Sequence, residues 1–201
     1  PVSPATPEPP VIEGLESPQV RAGETLRLVC VVRGGNPPPS LHWDKSGRSL
    51  PGSWVSHGGV TRARVSVPVT PEDDGATLTC SLGGGGSASI TLSVSYPPSE
   101  VRIAGSPALA ENQSATLSCS SSPSNPPVRL RWWLGGQELE PDDTSTTQAP
   151  GGGWASVSNV TLRGQRSAHG TPLVCEASAP GIPPRTDSVL LSVSRQHWEG
   201  L

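Results

Sequence analysis

Hydrophobic and polar residues alternate along several short segments of this chain. Leu26, Leu28 and Cys30 alternate with polar neighbours, and the valines within residues 65–69 do the same. Alternation with a period of two is typical of a β-strand that turns one face to a core and the other to solvent. Runs of proline such as residues 37–39 separate these segments, because proline has no backbone amide to donate to a sheet. The pattern predicts an all-β protein.

The predicted strands occur in the same order twice, with an internal period of about 95 to 100 residues. The first copy has predicted strands at residues 11–15, 24–30, 41–44, 60–69, 76–80 and 87–94, and the second at residues 115–119, 128–133, 156–162, 171–175 and 187–193. We therefore predict one domain at residues 11–96 and a second at residues 97–195. Residues 1–10 contain five prolines and are predicted to be a linker, and residues 196–201 a tail or the start of the next linker.

A Cys–Trp–Cys motif occurs once in each predicted domain. The tryptophan follows the first cysteine by 13 residues in both copies, and it precedes the second cysteine by 37 residues in one copy and 43 in the other. In a sandwich of two antiparallel sheets, such cysteines join the sheets and the tryptophan packs against their disulfide. The motif predicts two tandem immunoglobulin-like β-sandwiches, each with one disulfide between its sheets. Its residues are Cys30, Trp43 and Cys80 in the first domain and Cys119, Trp132 and Cys175 in the second, with both tryptophans in the cores.

The chain contains few large apolar residues. Hydrophobic residues make up 33% of it, phenylalanine and methionine are absent, and Tyr96 is the single tyrosine. The position two residues before the second cysteine, a tyrosine in antibody-like domains, is Leu78 in one domain and Leu173 in the other. We expect both domains to lack that tyrosine's hydrogen bond. Each disulfide, closing a loop of roughly 50 residues, should contribute on the order of 4 kcal/mol.

Paired cysteines and glycosylation sequons place the chain in the secretory pathway. Structural disulfides form in oxidising compartments. Asn112 and Asn159 each begin an Asn-X-Ser/Thr triplet, the acceptor for N-glycosylation, although either site can also remain unmodified. We expect the extracellular side of the cell surface, with secretion as the second choice.

Charge and hydropathy exclude several classes of partner. The net charge is −3, the isoelectric point is about 5.8, and no basic stripe stands out in the sequence. Nucleic acids and anionic membranes are therefore not expected as partners. No apolar run is long enough to cross a bilayer and no signal peptide is recognisable. We expect a fragment of a longer protein whose anchor, if it has one, lies outside the fragment.

Several segments resemble one group of cell-surface proteins. The sequence RLRWWLG at residues 129–135 is similar to a C strand in the nephrin-like adhesion receptors of the immunoglobulin superfamily. Further similar segments are residues 20–24, 33–37, 71–73, 97–99 and 158–162, the last of which matches a glycosylated strand position. The resemblance covers most of residues 10–195. It implies a receptor that binds related receptors, like or unlike, on neighbouring cells, and domains internal to a longer array.

Enzymatic chemistry, cofactors and metals are not expected. No two of the four histidines, His42, His57, His169 and His197, are spaced as metal ligands, and the cysteines are committed to disulfides. No serine has a nucleophile-elbow context, and the glycines at residues 83–86 lie between strands, without a helix dipole to hold phosphate. The three acidic residues at 72–74 are conceivable calcium ligands, but such a cluster is more often a solvated turn, and we expect a solvated turn here.

Exposed aromatic and polar residues are the candidates for protein binding. Trp133 must face away from the core residue Trp132, because side chains alternate along a strand. Trp54 and Trp154 are predicted in loops after strand C, and exposed tryptophan is enriched at binding hot spots. The alternative is that Arg129, Arg131 or a glycan covers Trp133 and that Trp54 and Trp154 cap sheet edges. On the outward face of strands C, F and G of the first domain, the candidates are His42, Asp44 and Leu82.

Three functions remain open from the sequence. The first is a fragment of an adhesion receptor that binds another immunoglobulin-superfamily receptor, including a second copy of itself. The second is a passive glycosylated spacer that holds a distal recognition domain away from the membrane. The third is an immune-type receptor or a secreted decoy for a soluble protein ligand.

Overall fold

Two β-sandwiches make up the part of the chain that the computed structural model describes, residues 3–195. The first domain ends at Ser95 and the second begins at Tyr96, one residue before the predicted boundary. Within residues 3–195, no helix has the length and apolar character needed to cross a bilayer.

The first domain consists of two four-stranded sheets and a short parallel pair. Its strands are β1 (Val11–Glu13), β2 (Gln19–Arg21), β3 (Thr25–Arg33), β4 (Leu41–Lys45), β5 (Arg48–Ser49), β6 (Trp54–His57), β7 (Val60–Pro68), β8 (Thr77–Leu82), β9 (Ser87–Thr91) and β10 (Ser93–Ser95). One sheet has the order β1-β3-β7-β6 and the other β5-β4-β8-β9, while β10 runs parallel to β2. In immunoglobulin terms, the second sheet contains strands C, F and G.

The second domain repeats this arrangement. Its strands are β11 (Val101–Ala104), β12 (Ala108–Ala110), β13 (Ser114–Ser121), β14 (Arg129–Leu134), β15 (Gln137–Leu139), β16 (Asp143–Gln148), β17 (Trp154–Arg163), β18 (Pro172–Ala179), β19 (Ile182–Leu190) and β20 (Ser192–Ser194). The sheets have the orders β11-β13-β17-β16 and β15-β14-β18-β19, with β12 parallel to β20. The all-β prediction and the two-sandwich prediction are confirmed.

Each core is built around a disulfide and a tryptophan, as the motif predicts. Cys30 is bonded to Cys80, and Cys119 to Cys175. Trp43 is 5% exposed and donates from Nε1 to the backbone oxygen of Ala63 at 3.0 Å. Trp132 is fully buried and donates to the hydroxyl of Ser158, also at 3.0 Å. These bonds satisfy the one polar atom of each indole, which would otherwise be costly to bury. Leu78 and Leu173, at the corner-tyrosine positions, are both 0% exposed.

The turn between strands E and F of the first domain is held by its carboxylates. Asp73 is 5% exposed; it accepts hydrogen bonds from the Thr70 amide at 2.9 Å and the Lys45 ammonium at 3.0 Å. Asp74 accepts the Val94 amide at 2.9 Å. The expectation that all three acids of residues 72–74 lie on a solvated turn is therefore wrong for Asp73, because Lys45 from β4 reaches over it.

These contacts set the charge state of Asp73. Burial by itself raises the pKa of this carboxyl, but hydrogen bonds from the Thr70 amide and from Lys45, together with the lysine's charge, outweigh it. The pKa of Asp73 is consequently lowered from its ordinary value. The folded first domain therefore favours the ionised carboxylate.

The second domain replaces this ion pair with an apolar contact. Leu134 lies two residues after the core tryptophan, as Lys45 does, and Ala168 lies seven residues before the second cysteine, as Asp73 does. Both Leu134 and Ala168 pack against the hydrophobic core of the second domain. The same position in the fold is thus occupied by an ion pair in one domain and by apolar side chains in the other.

The N-terminal residues lie against the first domain. Ala5 and Asn36 exchange backbone hydrogen bonds of 3.2 and 3.0 Å, the Glu8 amide donates to the Arg33 oxygen at 2.9 Å, and Pro10 is buried. The described part of the predicted linker at residues 1–10 is therefore attached to the first domain. The hydrogen bonds go to Arg33, the last residue of β3, and to Asn36 in the loop between strands B and C. The sequence pattern did not indicate these contacts. The predicted tail at residues 196–201 lies outside the described residues.

Candidate protein-binding faces

The outward face of strands C, F and G in the first domain carries mainly small polar side chains. In the strand register, His42 lies beside Ser81, and Asp44 beside Thr79. His42 is exposed, as predicted from its alternation with core residues. We call this surface the first CFG face.

Two of the predicted residues on this face have structural roles. Asp44 is half-buried, and its carboxylate accepts the Gly47 amide at 3.4 Å within the turn that joins β4 to β5. Leu82 is only 8% exposed, so its prediction as a surface contact is wrong. It is the last residue of β8, and the inward phase of that strand continues to its end.

Trp54 lies in a strand instead of the predicted loop. It begins β6, the edge strand of the opposite sheet, and is 40% exposed. Its ring meets the imidazole of His42 edge-on, with 5.3 Å between centroids and an interplanar angle of 74°. The structure thus joins two candidates from different sheets, and no sequence spacing could have indicated this contact.

The matching face of the second domain carries a more structured cluster. Arg131 of β14 donates two hydrogen bonds to the carboxylate of Glu138 in β15, from Nε to Oε1 and from Nη2 to Oε2, each 2.9 Å long. The guanidinium carbon of Arg131 also lies 5.0 Å from the centre of the Trp133 ring. We call these three residues the Arg131–Trp133 cluster and their surface the second CFG face. The prediction that Trp133 faces away from the core holds, and Arg131 partly covers it.

Electrostatics stabilise this arrangement. The hydrogen bonds from Arg131 lower the pKa of Glu138, and the same bonds raise the pKa of Arg131. Both groups remain ionised at neutral pH as a bidentate pair. Beside them in the register lie Val174, next to Trp133, and Glu176, next to Arg131. The second CFG face therefore presents an aromatic ring, an apolar side chain and charges of both signs on a β-sheet.

Trp154 and the Asn159 sequon belong to the other sheet of the second domain. Trp154 begins β17, is 36% exposed and exchanges backbone hydrogen bonds with Ser124, so its predicted loop position is wrong. Asn159 points away from the core, between the buried Ser158 and Val160, and donates to a carboxylate oxygen of Asp143 at 2.6 Å. This sheet therefore carries a potential glycan on the face opposite the second CFG face.

The other sequon lies in a turn of the same domain. Asn112 follows β12, is exposed and has a positive φ of 65°. No sequon occurs in residues 1–95. Among residues 3–195, no group of three or more histidine, cysteine or acidic side chains is arranged to hold a metal ion.

Both halves of the chain match known domain families. Residues 98–183 match the CD80-like C2-set immunoglobulin domain, and residues 9–81 match the immunoglobulin domain. The chain belongs to the immunoglobulin superfamily. Within it, each domain shows the paired sheets and the inter-sheet disulfide described above.

This immunoglobulin-superfamily chain has nephrin among its relatives. It is 44% identical to rat nephrin over 180 residues, covering 85% of the chain and 14% of nephrin. It is 41% identical to human nephrin over 198 residues, covering 93% and 16%. The chain thus spans about one seventh of the length of these relatives. Among solved structures, the ectodomain of mouse nectin-like molecule 4 superposes with a TM-score of 0.67 at 20% identity, covering 88% of this chain and 66% of that one.

Proposed function

We propose that this chain is part of the extracellular region of a cell-surface adhesion receptor, and that it binds another immunoglobulin-superfamily receptor through the second CFG face. The observation that carries the proposal is the Arg131–Trp133 cluster. Homology to nephrin supports the class of receptor, because resemblance to the nephrin-like adhesion receptors implies a receptor that engages related receptors. The proposed location is the extracellular side of the plasma membrane.

The cluster has the properties of a binding hot spot. Tryptophan and arginine are the residues most enriched among side chains that dominate interface energies. Immobilising a long side chain on binding makes the binding free energy less favourable by about 0.5–1.5 kcal/mol. The bidentate bond to Glu138 and the stacking on Trp133 already fix the side chain of Arg131. A partner would therefore meet a preorganised surface.

The charges on the face define a suitable partner. Arg131 lies beside Glu138 in one direction and Glu176 in the other. A partner face with an acidic group opposite Arg131 and an apolar centre would be complementary. A second copy of this chain turned by 180° repeats the acid–base–acid order, so it is complementary when it is displaced until Arg131 of each copy faces Glu138 or Glu176 of the other. Both like and unlike pairs are compatible with the face.

Replacing Trp133 with alanine is expected to weaken binding by about thirtyfold, equivalent to about 2 kcal/mol, because it removes the centre of the cluster. The measurement is surface plasmon resonance of the glycosylated protein against an array of cell-surface ectodomains that includes the protein itself. Trp154→Ala is the matched control, since Trp154 is also partly exposed but lies on the opposite sheet. Equal affinities for wild type and W133A, with unchanged melting temperatures, would contradict the proposal.

A charge exchange separates recognition from folding. The double variant Arg131→Glu, Glu138→Arg retains an ion pair but exchanges the two charges. Its melting temperature should be close to that of the wild type, and it should lose binding to the wild-type partner.

Asp44→Arg tests the first CFG face in the same assay, and Asp44→Asn, which keeps an acceptor for the Gly47 amide, is its control. Loss of binding in D44R alone would place the contact in the first domain.

The sequons favour one alternative, a glycosylated spacer. Both Asn112 and Asn159 lie in the second domain and carry side chains directed away from its core. We predict that protein secreted from mammalian cells carries glycans at both sites, and that N112Q and N159Q each remove one glycan by intact-mass spectrometry. A spacer would show no saturable binding in the array although it is folded and monodisperse.

A further inference from the structure

We propose that the outward face of the β3–β7 pair in the first domain is a binding site for a linear, sulfated polysaccharide. This site is independent of the protein-binding face proposed above, since it lies on the other domain. It consists of four arginines that the fold brings together from two strands. They are Arg27 and Arg33 of β3 and Arg62 and Arg64 of β7, named here the arginine face.

The register of the two strands places these arginines in one line. Arg27 pairs with Ser66, Val29 with Arg64, Val31 with Arg62, and Arg33 with Val60. Side chains two residues apart share a face, so these four pairs form four successive rows on the outward face. Each row contains one arginine. With about 3.4 Å per residue, the rows are about 7 Å apart and the four rows span about 20 Å along the strands.

The guanidinium groups of this face have no anionic partners in the described part of the chain. All four arginines are exposed, and none of them takes part in an ion pair among residues 3–195. The outward-facing neighbours on the same two strands are valines and Ser66. One acidic residue, Glu13 of β1, shares the face, and Val29 separates it from Arg64. The face therefore has a local positive field in a chain of net charge −3.

A concavity lies at one side of this line. It has a volume of about 550 Å³ and is lined by Gly52, Ser53, Val55, His57, Arg62 and Arg64. Both arginines of β7 contribute to its wall, and the edge strand β6 forms the other side. An anionic group bound there can be contacted by two guanidinium groups at once.

The second domain shows that the fold does not require these arginines. At the positions equivalent to Arg27 and Arg33 it has Thr116 and Ser122, counted from the first cysteine of each domain. The strand register aligns Arg62 with Val157 and Arg64 with Asn159. The face that is polar and carries a sequon in the second domain is thus cationic and free of sequons in the first.

Charge complementarity and shape select the ligand. Guanidinium groups bind sulfate and carboxylate through paired N–H donors. A line of single cations at regular intervals suits an extended polyanion that lies along the strands, and a compact ligand would contact only part of it. The disulfides place the chain outside the cytosol, where sulfated polysaccharides are the linear polyanions of this chemistry.

The test uses heparin as the probe and the whole chain as the protein. We expect saturable binding by surface plasmon resonance at physiological ionic strength, with an affinity that falls steeply between about 50 and about 200 mM salt as counterions are released. The double variant Arg62→Gln, Arg64→Gln is expected to lower the affinity by on the order of tenfold and to reduce the salt slope. The second pair, Arg27→Gln with Arg33→Gln, should have a similar effect from the neighbouring strand.

A matched control removes the same charge elsewhere. Arg21 of β2 and Arg48 of β5 are exposed and lie outside the arginine face, so R21Q/R48Q should bind heparin within about twofold of the wild type. Desulfated heparin and hyaluronan distinguish recognition of sulfates from recognition of carboxylates. Absence of wild-type binding, or equal losses in R62Q/R64Q and R21Q/R48Q with unchanged melting temperatures, would overturn the proposal. If the protein binds heparin as expected but binds no ectodomain in the array, only the protein-binding proposal is contradicted.

Discussion

Replacing Asp73 with alanine should destabilise the first domain by about 2–3 kcal/mol. The substitution leaves the partly buried ammonium of Lys45 without its partner and the Thr70 amide without its acceptor. The side chain of Lys45 retains 31% exposure, so it can turn toward water, and this keeps the cost at the lower end of the range for a broken buried pair. Guanidinium denaturation with hydrogen–deuterium exchange mass spectrometry, which resolves the two domains, measures the loss.

The second domain supplies the control for this prediction. Lys45→Leu combined with Asp73→Ala introduces the residue types found at Leu134 and Ala168, where the same corner is apolar. Replacing an ion pair with packed apolar groups is often neutral or stabilising. We expect the double variant to recover most of the stability that D73A loses. If D73A and the double variant are equally unstable, the ion pair is not the reason for the loss.

Acid should affect the same corner. The pKa of Asp73 is lowered in the folded state, so its stabilising contribution is fully present above the unfolded-state value of about 3.8. It is lost as the pH falls below that value and through the lower pKa of the folded state. The melting temperature of the first domain should therefore fall as the pH is lowered from about 5 to about 3. We expect this decrease to be larger in the wild type than in K45L/D73A. Calorimetry over this pH range measures the difference.

Replacing Trp132 with alanine should destabilise the second domain by about 4 kcal/mol. The side chain is fully buried against the disulfide core, and its removal leaves a large cavity. It also leaves the hydroxyl of Ser158 without the indole N–H. Trp132→Phe refills most of the cavity but not the hydrogen bond, and we expect an intermediate loss.

Trp54→Ala is the comparison for this prediction. This tryptophan is 40% exposed and contacts His42 at the edge of the first domain. Its removal should cost clearly less, about 1–2 kcal/mol, because two fifths of the residue stays in contact with water and the substitution leaves no closed cavity in the core. Thermal and chemical denaturation of the three variants give the ranking. A loss for W54A as large as that for W132A would show that Trp54 belongs to the core.

Most of the fold follows from local signals in the chain. The alternation of Leu26, Leu28 and Cys30 predicts strand B, and the repeated Cys–Trp–Cys spacing predicts which cysteines are joined. Both signals are properties of the residues themselves. Alternate side chains of a strand point to the same face and can be buried in a core, and paired cysteines form disulfides in an oxidising compartment.

Edge strands are the elements that these signals do not reveal. Residues of β16 are all polar and all exposed, and those of β6 are all exposed, so neither segment shows alternating hydrophobicity. Each strand forms because a neighbouring strand offers free backbone donors and acceptors. Trp54, in β6, was predicted in a loop for this reason. Trp154 has a different explanation, since it begins the inner strand β17 two residues before the predicted start of that strand.

The sequence by itself determined two immunoglobulin sandwiches, each with one disulfide between its sheets, and a resemblance to adhesion receptors. It also predicted an extracellular location. Only the tertiary structure decided which side chains act together. Arg131 meets Glu138, His42 meets Trp54, and the arginine face joins residues about 30 positions apart in a sequence without a basic stripe. The physical reason is that strand register, set by backbone hydrogen bonds across the sheet, determines which side chains become neighbours on its surface.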